Sequence, residues 1–211
     1  MREVTAKLDK IRRYIENAEL RTAVAEGNQK IISGHAAVFN QEIKLNYFRE
    51  KIDSKAFDKT DMSDVFLFVN HKSLVPLARS KAGNANSTMT LSIDEKGLAI
   101  RAVLDIEGNS ESKKLYSAIQ RGDISGMSFA FTVESEEWSD LESDYPLRTI
   151  KSISKIFEVS VVTYPAYDQT DVSARNNEEE ILKAAKEKYP PLSQKLNNYR
   201  EKIKIIGGMK I

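Results

Sequence analysis

Short runs of β-branched and aromatic residues, separated by turn residues, fill most of the chain between residues 30 and 175. The clearest runs are DVFLFVNH, STMTLSIDEKGLAIRAVLD, ISGMSFAFTVESEEW and KSISKIFEVSVVTYP, and the second predicts a hairpin that turns at EKG. Strands and helices do not alternate along this segment. The pattern therefore favours a mainly β domain, an antiparallel barrel or sandwich, over a parallel sheet.

One stretch inside this segment, SESKKLYSAIQRGD, has the periodicity of a helix. Leu115 and Ile119 recur at helical spacing on one face. Ser110 or Ser112 is placed to cap the amino terminus of the helix, and Gly122 follows its carboxyl end. We therefore expect one internal helix packed on the strands.

The two ends of the chain have a different pattern. Apolar residues recur every three or four positions in the first 26 residues, at Val4, Leu8, Ile11 and Ile15, which predicts an amphipathic helix. After residue 175 the chain is polar and lysine-rich, and the run EEE at 178–180 favours a helix start. We predict a helical extension over residues 1–28, a β domain over 29–175 and a carboxyl-terminal extension over 176–211.

The composition limits the chemistry that the chain can perform. Cysteine is absent from the sequence, and the two histidines, His35 and His71, are too few for a histidine-rich metal site, so we expect no metal and no cofactor. The net charge of +1 does not favour nucleic acid, and no apolar run reaches the ~18 residues of a membrane span. With no signal-peptide core after Met1, we expect a cytosolic protein that binds neither nucleic acid nor membrane.

A serine interrupts the apolar run GMSFAF. Because side chains alternate between the faces of a strand, Met127, Phe129 and Phe131 share one face and Ser128 lies on the other. Ser128 is either a small packing residue or a nucleophile on a rigid element, and the residues alone leave both open. The competing hydroxyls are those of Ser125 and Ser160.

A histidine and a glutamate complete the set of candidates. His71 ends the run VFLFVNH, on the face of Leu67 and Val69. Glu158 lies in the apolar run FEVSVV, where an ionised carboxylate is destabilised unless a cation or hydrogen bonds replace its water. A contact between Glu158 and His71 would turn the other imidazole nitrogen toward Ser128, the arrangement used in acyl transfer. The alternatives are a structural His71, His35 as the imidazole, and Lys151, Lys155 or a distant arginine as the partner of Glu158.

In these segments the sequence resembles the prohead (capsid maturation) proteases of tailed phages, which are related in fold to the assemblin proteases of herpesviruses. The resemblance runs in order from about residue 31 to residue 175, through SGHAAVFN, YFREKIDSKAFDK, DVFLFVNH, DEKGLAIRAVL, LYSAIQRGDISGMSFAF and FEVSVVTYPAYDQTDVSAR. Two positions depart from the family pattern: Lys72 replaces a common acidic residue, and Ala78-Arg79 replaces a common glycine-arginine pair. Both lie where we expect substrate or an oxyanion to bind.

The resemblance implies a serine endopeptidase on a closed antiparallel β-barrel of the herpesvirus-protease type with flanking helices. It assigns the catalytic histidine to His71 and the nucleophile to Ser128. The third catalytic residue, a second histidine in the herpesvirus enzymes, corresponds here to Glu158 in FEVS.

The resemblance also implies the substrates and the place of action. The substrates would be the major capsid protein, the scaffold segment and the enzyme itself. The enzyme would act inside the immature phage capsid in the bacterial cytoplasm, encoded by a phage or an integrated prophage, and we expect a homo-oligomer.

Two other functions remain open at this stage. One is a non-catalytic capsid or scaffold assembly protein with the same barrel; three polar groups on apolar strands weigh against it. The other is a different acyl-transfer hydrolase, such as an esterase. The missing G-x-S-x-G motif and the lack of a parallel α/β pattern weigh against an esterase.

Overall fold

The computed structural model describes residues 10–16, 18–163 and 172–190, the last range with the backbone alone over 172–176. The strands in these ranges are β1 (Ile11–Ile15), β2 (Arg21–Val24), β3 (Lys30–Val38), β4 (Ile43–Lys44), β5 (Arg49–Ile52), β6 (Asp64–Val69), β7 (Ala78–Lys81), β8 (Met89–Ile93), β9 (Gly97–Leu104), β10 (Gly126–Ser139) and β11 (Leu147–Val162). The helices are α1 (Ser110–Arg121) and α2 (Val172–Lys188), and a short 3₁₀ helix covers Glu26–Asn28. The prediction of a mainly β protein with helices is confirmed.

The strands form two sheets. In the seven-stranded sheet, β1, β10, β11, β5 and β4 are neighbours in that order, and β6 joins β11 to β7. The four-stranded sheet has the order β2-β3-β9-β8 and is antiparallel. Because β6 runs parallel to β11, with Phe66 opposite Glu158, the larger sheet is mixed.

The predicted closed barrel is wrong. Within the described residues neither sheet closes on itself, since the larger ends at β1, β4 and β7 and the smaller at β2 and β8. The backbone amide of Thr88 donates to the carbonyl of Arg79 at 3.0 Å, but β7 and β8 do not pair as neighbouring strands. Side-chain alternation reports which face of a strand is buried and leaves open which strand pairs along its edge. The apolar pattern therefore predicts strands well and sheet closure poorly.

Strands also replace the helix predicted at the amino terminus. Residues 11–15 form β1, which pairs antiparallel with β10 so that Tyr14 lies opposite Ser128, and residues 21–24 form β2. Val4 and Leu8, on which the helical spacing also depends, lie outside the described residues. The run IRRYI fits both a helical and an alternating pattern, and pairing with β10 selects the strand. The domain boundaries at 28/29 and 175/176 stay predictions.

Helix α1 forms where the periodicity predicts it, with Leu115 and Ile119 buried. Its amino-terminal cap is Asn109 instead of Ser110 or Ser112, because the Asn109 side-chain oxygen accepts hydrogen bonds from the backbone amides of Glu111 and Ser112. Gly122 ends the helix in the left-handed conformation, at φ 79°. The β8–β9 hairpin also turns where predicted, with the Asp94 side chain accepting from the amides of Lys96 and Gly97 at 2.9 Å.

The described residues divide into two compact units, and the first contains most of the sheets and α1. Its core includes Met127, Phe129 and Phe131, all fully buried, the three residues predicted to share one face of β10. The rings of Phe129 and Phe131 stack with centroids 4.3 Å apart. No helix in the described part of the chain is long and apolar enough to cross a bilayer.

The second unit comprises Glu42–Glu50, Trp138–Arg148 and the described residues of α2. Inside it, the buried side chains of Arg148 and Glu50 form an ion pair at 2.8 Å. The Glu178 carboxylate of α2 accepts from both the backbone and the side-chain nitrogen of Asn46 at 2.9 Å. These contacts give α2 specific partners, and the helix begins before the acidic run that predicts it.

Candidate active site

His71 and Glu158 are in direct contact, although 87 positions separate them along the chain. The Nδ1 atom of His71 lies 2.8 Å from Oε1 of Glu158. Only 5% of the Glu158 side chain is exposed, compared with 20% of the His71 side chain. The parallel pairing of β6 with β11 explains the contact, because it brings the end of β6 beside the carboxyl-terminal half of β11.

A tight turn after β6 determines where the imidazole points. Asn70 and His71 both have positive φ angles, 51° and 58°, and the Lys72 amide donates to the Val69 carbonyl at 3.0 Å. Two central residues with positive φ and this hydrogen bond are typical of a type I′ turn. The strand alternation therefore stops before His71. The prediction that His71 shares the face of Leu67 is wrong, because the ring reaches Glu158, the cross-strand neighbour of Phe66 on the opposite face.

Hydrogen bonds tie this turn to the end of β11. The backbone amide of Asn70 donates to the Val161 carbonyl at 3.0 Å. The Asn70 side chain donates to the Thr163 hydroxyl at 3.1 Å and accepts from the Thr163 amide at 3.0 Å. Asn70 thus fixes the residue beside it, His71, relative to the strand that carries Glu158.

Ser128 lies on β10, and only 3% of the residue is exposed to solvent. It faces away from Met127 and Phe129, as the alternation predicts, and its cross-strand neighbour on β1 is Tyr14. The Tyr14 ring covers the backbone at Gly126, where any Cβ atom would collide with it. Burial, and then the nearby Glu16 charge, raise the pKa of Tyr14. Ser128 therefore lies in a confined environment beside β1.

The contacts of Arg12 relate Ser128 to the histidine–glutamate pair. Arg12 lies opposite Ala130, and Ala130 shares a strand face with Ser128. The Nε of Arg12 donates to Oε1 of Glu158 at 3.2 Å. Side chains of directly paired residues project from the same face of a sheet, so the Glu158 carboxylate lies on the face to which Ser128 belongs.

Glu158 is ionised near neutral pH despite its burial. Desolvation by burial raises the pKa of Glu158, but the hydrogen bond with His71 and the positive charges of Lys10 and Arg12 outweigh it. The net result is a pKa of Glu158 below its ordinary value. A charged carboxylate beside an imidazole can orient the ring and stabilise its protonated form.

The competing candidates have other partners. His35, on β3 of the smaller sheet, contacts Asp94 with its Nε2 at 2.9 Å. Lys155 pairs with Asp61 at 2.7 Å and Lys151 with Asp53, so neither lysine is the hydrogen-bonded partner of Glu158.

The structure also shows the surroundings of the two other candidate hydroxyls and of the positions that depart from the family pattern. Ser125 is exposed before β10, and Ser160 is buried with no hydrogen-bond partner for its hydroxyl in the described part of the chain. Lys72 is exposed. Arg79 donates twice to the Asp64 carboxylate, at 2.7 and 2.6 Å, and lies over the Phe66 ring. Among the described residues, no group of three or more acidic or histidine side chains could hold a metal ion.

The sequence patterns did not single out Arg12 or Asn70. The distant arginine considered as a partner of Glu158 is Arg12, whose position on a strand beside β10 was hidden by the helical interpretation of the amino terminus. The alternation in IRRYI was the available signal for that strand. For Asn70, the signal was an asparagine at a strand end, because asparagine tolerates positive φ better than most residues.

Comparison with known proteins assigns the chain to a family. A family model described as caudovirus prohead serine protease matches residues 16–204. The prohead protease of Enterobacteria phage HK97 is 30% identical over 156 residues, which cover 71% of this chain and 61% of that protein. The match thus spans about three fifths of the length of the relative. Among solved structures, the bacteriophage T4 capsid assembly protease aligns with 14% identity and a TM-score of 0.45, covering 74% of this chain and 98% of the other.

Proposed function

Because the chain belongs to the caudovirus family of prohead serine proteases, we propose that it is a serine endopeptidase whose catalytic residues are His71, Ser128 and Glu158. The residues matched by the family model include all three. The observation that carries the proposal is the 2.8 Å contact between His71 Nδ1 and the buried Glu158 carboxylate. A buried ionised acid that holds one nitrogen of an imidazole is the orienting part of an acyl-transfer site.

The contact defines the role of each imidazole nitrogen. Because an ionised carboxylate only accepts hydrogen bonds, Nδ1 of His71 carries the proton shared with Glu158, and Nε2 has the free lone pair. In the proposed reaction, Nε2 takes the proton of the Ser128 hydroxyl while Oγ attacks the peptide carbonyl. The same proton then passes to the departing amine, and His71 next activates the water that hydrolyses the acyl-enzyme. The Glu158 charge stabilises the imidazolium in both steps.

We further propose that the substrates are capsid proteins. The major capsid protein, the scaffold and the enzyme itself are the candidates, and the reaction takes place inside the immature capsid. Family membership and the prohead protease of phage HK97 support this assignment. The predicted homo-oligomer and the removal of the carboxyl-terminal extension, which continues beyond the described residues, stay predictions.

Replacement of Ser128 by alanine tests the assignment of the nucleophile. We expect purified Ser128→Ala to cleave capsid protein and itself at least about 10³-fold more slowly than the wild type. We also expect a fluorophosphonate probe to label the wild type at Ser128, located by peptide mapping, and to leave the variant unlabelled. Ser125→Ala is the matched control, because Ser125 is an exposed hydroxyl just before the same strand, and it should retain both activities.

The possible results separate the alternative functions. Ser128→Ala with wild-type cleavage would exclude Ser128 as the nucleophile. A wild-type protein that is neither labelled nor active on capsid protein would favour the non-catalytic assembly protein. Labelling at Ser128 together with hydrolysis of esters alone would favour a different acyl-transfer hydrolase.

A further inference from the structure

We infer that Arg12 is a positioning residue of this active site, holding the Glu158 carboxylate that orients His71. The inference rests on the proposed function and extends it to a residue outside the range matched by the family model, which begins at residue 16. Arg12 Nε lies 3.2 Å from Oε1 of Glu158, the same oxygen that lies 2.8 Å from His71 Nδ1. The Oε1 atom of Glu158 therefore contacts both the Arg12 guanidinium and the His71 imidazole.

The strand that carries Arg12 is anchored independently of this contact. Ile11 is 6% exposed and belongs to the hydrophobic core, and Arg13 on the same face is 8% exposed. They lie opposite Phe131 and Phe129 of β10. Because this face of β1 is buried, Arg12 and Tyr14 must project from the other face, toward Glu158 and Ser128. The core thus determines the direction of the Arg12 side chain.

The burial of Glu158 distinguishes this contact from an ordinary surface ion pair. Exposed pairs contribute little because water solvates both partners. Here 49% of the Arg12 side chain is exposed, but only 5% of the Glu158 side chain. Removal of the arginine would leave the buried carboxylate with one fewer donor and free to rotate away from His71.

Arg12 also affects protonation at the site. The groups that act on the Glu158 charge are His71 from the turn after β6, Arg12 from β1 and Lys10 just before β1. Positive charge beside the His71–Glu158 couple opposes the uptake of a proton by that couple. Without Arg12, the couple should take up its proton at higher pH, in addition to being less well oriented. A purely structural role for Arg12 would not shift this protonation.

The test measures the rate at which a fluorophosphonate probe labels Ser128, as a function of pH. For Arg12→Ala we expect labelling roughly tenfold slower at its optimum. We also expect the acid limb of the pH profile to move to higher pH. Arg12→Gln, which keeps side-chain length and a donor but removes the charge, should show the shift with a smaller loss of rate. Arg12→Lys, which keeps the positive charge, should leave the acid limb at the wild-type pH.

Arg21→Ala is the matched control, since it removes an exposed arginine from β2 of the smaller sheet. It should change neither the rate nor the acid limb. If folded Arg12→Ala and Arg12→Gln label at the wild-type rate with an unshifted limb, the inference is wrong. It is equally wrong if labelling slows with no shift and Arg12→Lys does not restore it.

A second measurement separates this inference from the proposed function. The chain has two histidines, so His35→Gln assigns the ring signals of His71 in NMR spectra. In Ser128→Ala protein, which should not cleave itself, removal of Arg12 is expected to move the midpoint of the His71 signal change to higher pH. An unchanged midpoint overturns the role of Arg12. The failure of the probe to label Ser128 would overturn the nucleophile and leave this readout valid.

Discussion

The buried Glu158 carboxylate stays ionised because neighbouring hydrogen-bond donors and positive charges replace the hydration that it loses on burial. Burial alone would favour the protonated acid, but the hydrogen bond with His71 and two basic side chains reverse that preference and lower the pKa of Glu158. The same charge is what the proposed reaction requires of the third catalytic residue. The sequence singled out Glu158 because it is an acid among apolar residues, and the contacts of Glu158 explain how an acid is tolerated at that position.

The lowered pKa of Glu158 predicts a pH-dependent contribution to stability. A carboxyl whose pKa is lower in the folded state stabilises that state above the unfolded pKa, about 4.3, and loses the effect as the pH falls through the folded value. We therefore expect Glu158→Gln to be less stable than the wild type near neutral pH, with the difference shrinking below about pH 4. Urea unfolding at several pH values, with Ser128→Ala in both proteins, measures this. A difference independent of pH would contradict the prediction.

The turn after β6 is the element that positions His71. Its two residues with positive φ, Asn70 and His71, interrupt the strand alternation and redirect the imidazole. Left-handed conformations cost non-glycine residues about 1–2 kcal/mol, and asparagine tolerates them better than most. The Thr163 contacts offset part of this cost by holding the turn to β11.

Asn70→Ala should therefore weaken both the fold and the site. Loss of the Thr163 hydrogen bonds and of the asparagine preference for positive φ should destabilise the protein by about 1–3 kcal/mol and slow the fluorophosphonate reaction. Glycine adopts a positive φ without strain but lacks the side chain, so Asn70→Gly should be more stable than Asn70→Ala and less stable than the wild type. Urea unfolding and labelling rates measure these effects.

Asn40→Ala is a suitable control for the turn, because Asn40 also has a positive φ, 55°, just after β3. It should lose stability for the same backbone reason and label Ser128 at the wild-type rate. Equal slowing of the two alanine variants would indicate a general loss of stability and would contradict a specific role of the His71 turn.

At the scale of the whole molecule, two open sheets and α1 supply the core that supports the site. The inward residues of β10 and β11, including Phe129, Phe131, Val159 and Val161, are fully buried. Their neighbours Ser128 and Glu158 lie on the opposite face of these strands and are themselves buried. Close packing around these residues limits how far either strand can move.

Phe129→Ala tests how strongly the site depends on this core. Phe129 is fully buried, and its ring centroid lies 4.3 Å from that of Phe131 and 6.3 Å from that of Phe57. We expect a loss of about 3–5 kcal/mol in the free energy of unfolding, measured in urea. Phe66→Ala, at a partly exposed position of the larger sheet, should cost clearly less. Similar losses for the two variants would contradict the assignment of Phe129 to the core.

Local patterns in the sequence were sufficient for much of this protein. The strands β6, β10 and β11, the β8–β9 hairpin and α1 follow from alternation, turn residues and helical period, all of which act over a few neighbouring positions. The shared face of Met127, Phe129 and Phe131 on β10 follows from the same alternation. His71, Ser128 and Glu158 stood out as polar groups on apolar runs, and the catalytic roles proposed for them rest on the resemblance to a protease family.

Tertiary structure decided the features that depend on distant partners. The open edges of the sheets, the strand at residues 11–15 and the direction of His71 each depend on hydrogen bonds to strands far along the chain. The contact of Arg12 with Glu158 joins positions 146 apart, and no local pattern encodes it. A strand carries information about its own faces in its side chains, but its edges present the same backbone groups whatever the sequence, so pairing is settled only when the whole chain packs.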